Sequence, residues 1–269
     1  MIPKYLFHYT TFKGLKDIIS SGNIRFTRMD KLNDPFDGHI ASPNFPDNVN
    51  EFRKFEYVSC WSGLEEESIP LWNLYKKMEG VRIKVRTSLF SKNTSLAEFT
   101  NFFVLVNRIA EIKLTLPIKI FENLSIKNVY GPIKIAYTDT PEEIYSDTIR
   151  TLISNEGTSK EIELLNIRFN ELGLKKLHYW SFENEWRYKI GCFFEGFCAR
   201  RPFFDIVIDS LSVMPEYIDV PFTSDIFSDM EIVFAPKANK TDIEELKSFL
   251  TEKHLNCIVK QSDIQYNGE

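Results

Sequence analysis

The stretch FENEWRYKIG, residues 182–191, is the most strictly alternating segment of the chain. Trp186, Tyr188 and Ile190 fall on one side, and Glu183, Glu185, Arg187 and Lys189 on the other. Successive side chains of a strand point to opposite faces, so the segment predicts a strand with its aromatic side in a core. Taken alone, the charged row reads as a solvated strand face. Such a strand needs partners along its edges and helices over its apolar side.

Further elements follow by the same logic. KYLFHYT near the start alternates Tyr5, Phe7 and Tyr9 against Leu6, His8 and Thr10. Thr10 or Thr11 can cap a helix carrying Phe12, Leu15, Ile18 and Ile19, and Gly22 is placed to end it in a left-handed conformation. NIRFT reads as a second strand, and KLNDPFDGH as turn chemistry around Asn33, Asp34 and Pro35. EYVSCWS, 56–62, predicts a strand. Ser68 caps an expected helix through SIPLWNLYKKM, with Pro70 in its first turn, and VRIKV returns as a strand. Helices are expected over roughly 95–113, 141–154 and 158–173, with a strand at IKIAYTD, 133–139. FDIVID, YIDVPF and EIVFAP read as strands, DIEELKSFL as a helix and CIVKQ as a last strand.

No Pro/Gly/Ser-rich linker or internal repeat divides the 269 residues. The expectation is one α+β domain over 1–269, with residues from about 95 to 175 as a helical insertion. Hydrophobic residues make up 43%, with 23 phenylalanines, which is enough for an aromatic-rich core. A net charge of −5 argues against general nucleic-acid or anionic-membrane binding. Cys60, Cys192, Cys198 and Cys257 form no CxxC pair and read as reduced thiols. MIPKYLFHYT lacks the pattern of a signal peptide, and FFVLV is far too short to span a bilayer. A cytoplasmic protein is expected.

No G-x-G occurs, so a dinucleotide fingerprint and a P-loop are both missing, as is the G-x-S-x-G of a hydrolase elbow. His8, His39, His178 and His254 are not paired at metal-ligand spacing, and no metal is expected.

Three stretches stand out together: FHYTT on the first strand, SIPLWNLY on a helix between two strands, and ENEWRYK on a late strand. Their order resembles the His, aromatic, Glu triad of the ADP-ribosyltransferase fold, in its poly-ADP-ribose polymerase-like branch. The whole chain is also similar to a bacterial family, domain of unknown function two-nine-seven-one. The shared motifs are FHYT at 7–10, NDPF at 33–36, CWS at 60–62, WNLY at 72–75 and ENEWR at 183–187, and the likeness thins between about 87 and 175.

The resemblance implies a split β-sheet core with flanking helices and NAD as co-substrate, for ADP-ribosyl transfer or NAD glycohydrolysis. A role as toxin or phage-defence effector would go with it. Glu185, His8 and Tyr75 are then the candidate catalytic residues. His8, Tyr9, Thr10, Asn33, Trp72, Tyr75 and Arg187 are the candidates for holding the dinucleotide. Cleaving the nicotinamide–ribose bond passes through an oxocarbenium-like centre, which a carboxylate such as Glu185 can stabilise. Tyr75 can stack on a nicotinamide ring, and Arg187, on the face of Glu185, can bind phosphate or orient the carboxylate. Tyr9 stands where the polymerase-like motif has glycine. From their own surroundings, Trp72 and Trp186 are core anchors and Tyr75 belongs to a helical stripe with Leu71, Leu74 and Met78.

Two other functions fit the same residues. One is a catalytically inactive ligand-sensing or protein-interaction module of that fold. The other is a metal-dependent nuclease using Asp34, Asp37, Glu183 and Glu185, since carboxylates can hold Mg²⁺.

Overall fold

A computed structural model describes residues 1–39, 50, 53–75, 77–90, 124–126, 129–145, 149–153, 163–167, 171–194 and 215–266. The architecture is mixed α+β, a mostly antiparallel open sheet with few helices. Strand β1 (Tyr5–Thr10) leads into helix α1 (Phe12–Ser21) and strand β2 (Asn23–Arg28). Thr11 caps α1 by accepting from the Gly14 N–H, and Gly22 closes it at φ 66°. Then come β3 (Glu56–Ser62), α2 (Ile69–Leu74) and β4 (Val81–Arg86).

The main sheet runs β12–β2–β3–β1–β4–β13–β14, where β12 is Tyr217–Pro221, β13 Glu231–Phe234 and β14 Ile258–Gln261. Helix α4 (Lys240–Glu252) crosses between the last two strands, which are parallel. Strand β11 (Glu185–Phe194) lies along β3 from Glu185↔Ser62 to Gly191↔Glu56, and carries β5 (Leu124–Ile126) and β6 (Tyr130–Lys134) beyond.

The opposite edge of β3 is shared. Strand β2 meets its beginning, at Thr27↔Val58 and Arg28↔Tyr57, and β1 meets its end, at Phe7↔Ser62. Between those contacts Ser59, Cys60 and Trp61 have no paired strand on that edge among the described residues. The sheet is therefore open between β1 and β2, and the turn through α1 connects its two lips.

Each face of the sheet has its own cluster. Leu6, Ile83, Trp61, Trp186 and Tyr188 join Leu15 and Ile19 of α1 and Leu246 and Leu250 of α4 in the larger core. On the other face Tyr9 and Val233 pack with Leu71, Trp72 and Met78. Fully burying a side chain such as Leu15 or Ile83 contributes about 1.5–3 kcal/mol, which makes these clusters the main driving force for the fold.

Several expected elements differ. The helix from Ser68 stops at Leu74 instead of reaching Met78, because Lys77 and Met78 take positive φ and turn the Met78 side chain down into the core. IKIAYTD is two strands, β6 and β7 (Ala136–Thr138), broken at Ile135. There the chain leaves β11 for β10 (Lys175–Leu177): Ile135 N–H donates to Glu185 and Ala136 N–H to Leu174. The expected helix over 141–154 is only α3 (Pro141–Tyr145), followed by strand β8 (Ile149–Ile153). The second, over 158–173, gives way to strand β9 (Glu163–Ile167), antiparallel to β8. The two pair from Ile149↔Ile167 to Ile153↔Glu163, so their backbones bond to each other where a helix would bond within itself. The described part of the expected helical insertion is thus largely strand. The helix expected over 95–113 and the strand FDIVID lie outside the described residues.

Candidate functional site

A cavity of about 380 Å³ opens at the split in the sheet. Backbone geometry explains its polarity. Gly63 N–H donates to the Asn184 carbonyl across the β3–β11 register, so odd-numbered residues of β3 direct their peptide groups at β11. Even-numbered ones face the split. The Cys60 carbonyl there accepts a hydrogen bond from His8 Nδ1, at 3.1 Å, in place of a strand neighbour. By the same alternation from Phe7↔Ser62, the peptide groups of Tyr9 face the split from β1. A sheet edge left open in this way presents donors and acceptors side by side.

His8, Tyr9, Thr10, Asn33, Tyr75, Glu185 and Arg187 all line this cavity. Trp72 does not: it is fully buried on the inner side of α2, its ring edge-on to Tyr9 and its Nε1–H donated to Glu67 at 3.0 Å. His8 and Glu185 approach from opposite faces of the sheet. Ser62 pairs with both Phe7 and Glu185, so those three share a face and His8 turns to the other, against Trp61 at 5.0 Å between ring centroids. The cavity reaches both residues because it passes through the open edge.

Burial holds His8 below its ordinary pKa despite the bond to Cys60, so the ring is neutral. With its Nδ1 proton donated to the carbonyl, Nε2 is left as an acceptor. Tyr75 ends α2, its ring stacked at 6.3 Å on Tyr9, whose hydroxyl accepts from the Ser68 N–H. Burial raises Tyr75 and keeps it a neutral phenol. Arg82, paired with Tyr9 across the β1–β4 register, donates to the carbonyls of Leu64 and Glu65 at 2.7 and 2.5 Å and so fixes the approach to α2.

The charged row of β11 is not solvated. Glu185 is 3% exposed, Arg187 0% and Lys189 2%. Arg187 donates from Nε to Glu185 Oε1 at 2.5 Å and from Nη2 to Oε2 at 3.0 Å, while both of its Nη groups bond Asp37. It also donates to the Gly173 carbonyl at 2.7 Å. Lys176, from β10, lies 2.8 Å from Glu183 Oε2, 2.8 Å from Glu185 Oε2 and 3.7 Å from Asp37. Glu185 begins its strand after a tight 3₁₀ turn, His178–Glu183, and a left-handed Asn184, and its N–H donates to the Tyr137 hydroxyl at 2.8 Å. Burial pushes the Glu185 carboxyl up, but Arg187 and Lys176 outweigh it and hold it down at about 2. For Glu183 burial prevails over Lys176, and its pKa is raised.

Sequence reasoning did not reach Lys176, whose KKLH context carries no signal. It saw Asp37 only as one of four acids. Asp37, Glu183 and Glu185 do converge, but the Lys176 ammonium stands among them where a divalent ion would have to sit. Among the described residues no His, Cys, Asp and Glu group is arranged to hold a metal, and no helix is long and apolar enough to cross a membrane.

Comparison of the chain with protein-family models, curated proteins and solved structures finds no match in any of the three.

Proposed function

We propose that this protein uses NAD, cleaving the bond between nicotinamide and ribose for ADP-ribosyl transfer or hydrolysis. The observation that carries this reading is that His8, Tyr75 and Glu185 line one cavity at the open edge of the sheet. Its volume falls in the range of small-molecule sites. The peptide groups of Tyr9 and the Cys60 N–H face the split with no strand partner among the described residues, and they include the donor and acceptor that a carboxamide needs. The neutral Tyr75 ring suits a planar heterocycle, His8 Nε2 suits a ribose hydroxyl, and the ionised Glu185 suits a developing positive charge. The order of FHYT, WNLY and ENEWR, which resembles the His, aromatic, Glu triad of the ADP-ribosyltransferase fold, supports the same reading, and a toxin or phage-defence role would go with it.

The test is turnover. Wild-type protein incubated with NAD should release nicotinamide, and Glu185→Gln should reduce that release by at least about a hundredfold, the usual scale for a group stabilising transition-state charge. A wild-type protein that neither binds NAD nor modifies any macromolecule in a lysate would sink the idea.

One observation favours a second reading, a ligand-sensing module without turnover. Both oxygens of Glu185 are already engaged, by Arg187 and Lys176. NAD binding that survives Glu185→Gln, with no nicotinamide released by either protein, would select it.

A further inference from the structure

The described charges around Glu185 do not balance. Asp37, Glu183 and Glu185 face two cations, Lys176 and Arg187, all five lining the cavity and each no more than about 6% exposed. Arg187 is committed to Asp37 and Glu185, and Glu183 has Lys176 alone as its ion-pair partner among the described residues. With every acid ionised these five carry one negative charge in excess, the buried Asp34 beside them adds a second, and a buried net charge without a partner is costly. A proton on Glu183 neutralises the five that line the empty cavity. A cation entering the cavity does so as well, and then no proton is needed.

We propose that the cavity selects a ligand carrying a fixed positive charge on an aromatic ring, and that Glu183 supplies the matching negative charge by releasing a proton as the ligand binds. The O–H bond of the Glu183 carboxyl breaks, the proton passes to solvent, and the carboxylate formed keeps the Lys176 ammonium at 2.8 Å as its partner. The direction in which burial shifts Glu183 agrees with this assignment. Lys176 faces Glu183 from β10, and Glu185 and Arg187 from β11; the Tyr75 phenol of α2 and the Tyr137 phenol of β7 lie within its field. Both phenols are held neutral, and Asp34, whose carboxyl burial also raises, does not line the cavity, so Glu183 is the raised carboxyl that faces an entering ligand. Tyr75 adds the electron-rich ring face on which an aromatic cation stacks.

This inference rests on the NAD reading, in which the ring is the oxidised nicotinamide, and the experiment separates the two. Carba-NAD keeps the cationic ring but resists cleavage; NADH has the same dinucleotide frame with a neutral ring. Each is titrated calorimetrically into the full chain from pH 6 to 8.5, in buffers of differing ionisation enthalpy. Carba-NAD affinity should rise with pH, by up to tenfold per unit where Glu183 titrates, with release of up to one proton. NADH should bind about tenfold or more weakly at pH 8, with a flat profile. Glu183→Gln should flatten the carba-NAD profile, and the wild-type comparison stands whether or not that variant folds. A flat carba-NAD profile, or equal affinity for the two, overturns the inference and leaves the NAD reading intact. Failure of both to bind overturns the NAD reading and the inference with it.

Discussion

Asp37 and Arg187 are 150 positions apart, yet the Asp37 carboxylate takes two hydrogen bonds from the Arg187 guanidinium, with both side chains fully enclosed. The pair pins the turn that follows NDPF to the strand that carries Glu185. Removing one partner of a buried ion pair leaves the other charge stranded, at a cost of about 3–5 kcal/mol. Asp37→Ala should therefore lower unfolding free energy by about that amount in urea denaturation. A loss under about 1 kcal/mol would mean that the pair does not organise the site.

Acid should act on Glu185 before it acts on the hydrophobic core. A carboxyl held below its unfolded value of 4.5, here at about 2, contributes stability that is present above 4.5 and fades as pH falls toward 2. The full contribution is about 3 kcal/mol at 1.36 kcal/mol per unit. Glu183 runs the other way, since its raised pKa contributes below the unfolded value and is lost as pH rises through the folded one. Stability measured from pH 5 to pH 2 should fall more steeply for the wild type than for Glu185→Gln. Parallel curves would refute the assignment.

Tyr75 is expected to act through its ring and not its hydroxyl. Tyr75→Ala should weaken NAD binding by about 5- to 150-fold, the equivalent of 1–3 kcal/mol for an aromatic–base stack, with Tyr75→Phe close to wild type. Equal losses in the two variants, measured by equilibrium titration, would assign the effect to the hydroxyl instead.

Gly80 tests how α2 is mounted. A Cβ there would come within 2.6 Å of the Thr10 carbonyl oxygen and 3.0 Å of that of Tyr75, both backbone atoms. Gly80→Ala should cost about 1–3 kcal/mol by overpacking and should weaken ligand binding as Tyr75 shifts. A melting temperature unchanged from wild type would show that the loop relaxes freely.

Period-two patterns were legible where a strand has one apolar face: KYLFHYT, EYVSCWS and EWRYKIG lie where alternation put them, and Thr11, Gly22 and Ser68 cap as their chemistry requires. IRTLI and ELLNI were not legible, because short apolar runs satisfy a helix stripe as readily as a strand, and only their pairing to each other decides. The burial of Glu185 and Arg187 was hidden for a related reason. A charged row reads as solvated unless its counter-ions are known, and these come from Asp37 and Lys176, at distant points in the chain. That His8 and Glu185 line a common cavity from opposite faces also lay beyond alternation, which assigns faces but cannot reveal a gap between strands.

That gap has a fixed gauge. Val58 clasps one lip and Ser62 the other, four residues apart on a single strand, which is about 13 Å at 3.3 Å per residue. Neither lip can slide along β3 without breaking its own register. Widening the split would therefore mean unzipping β1 or β2 from β3, so its span is held by two pairings on one strand and not by the loops around it.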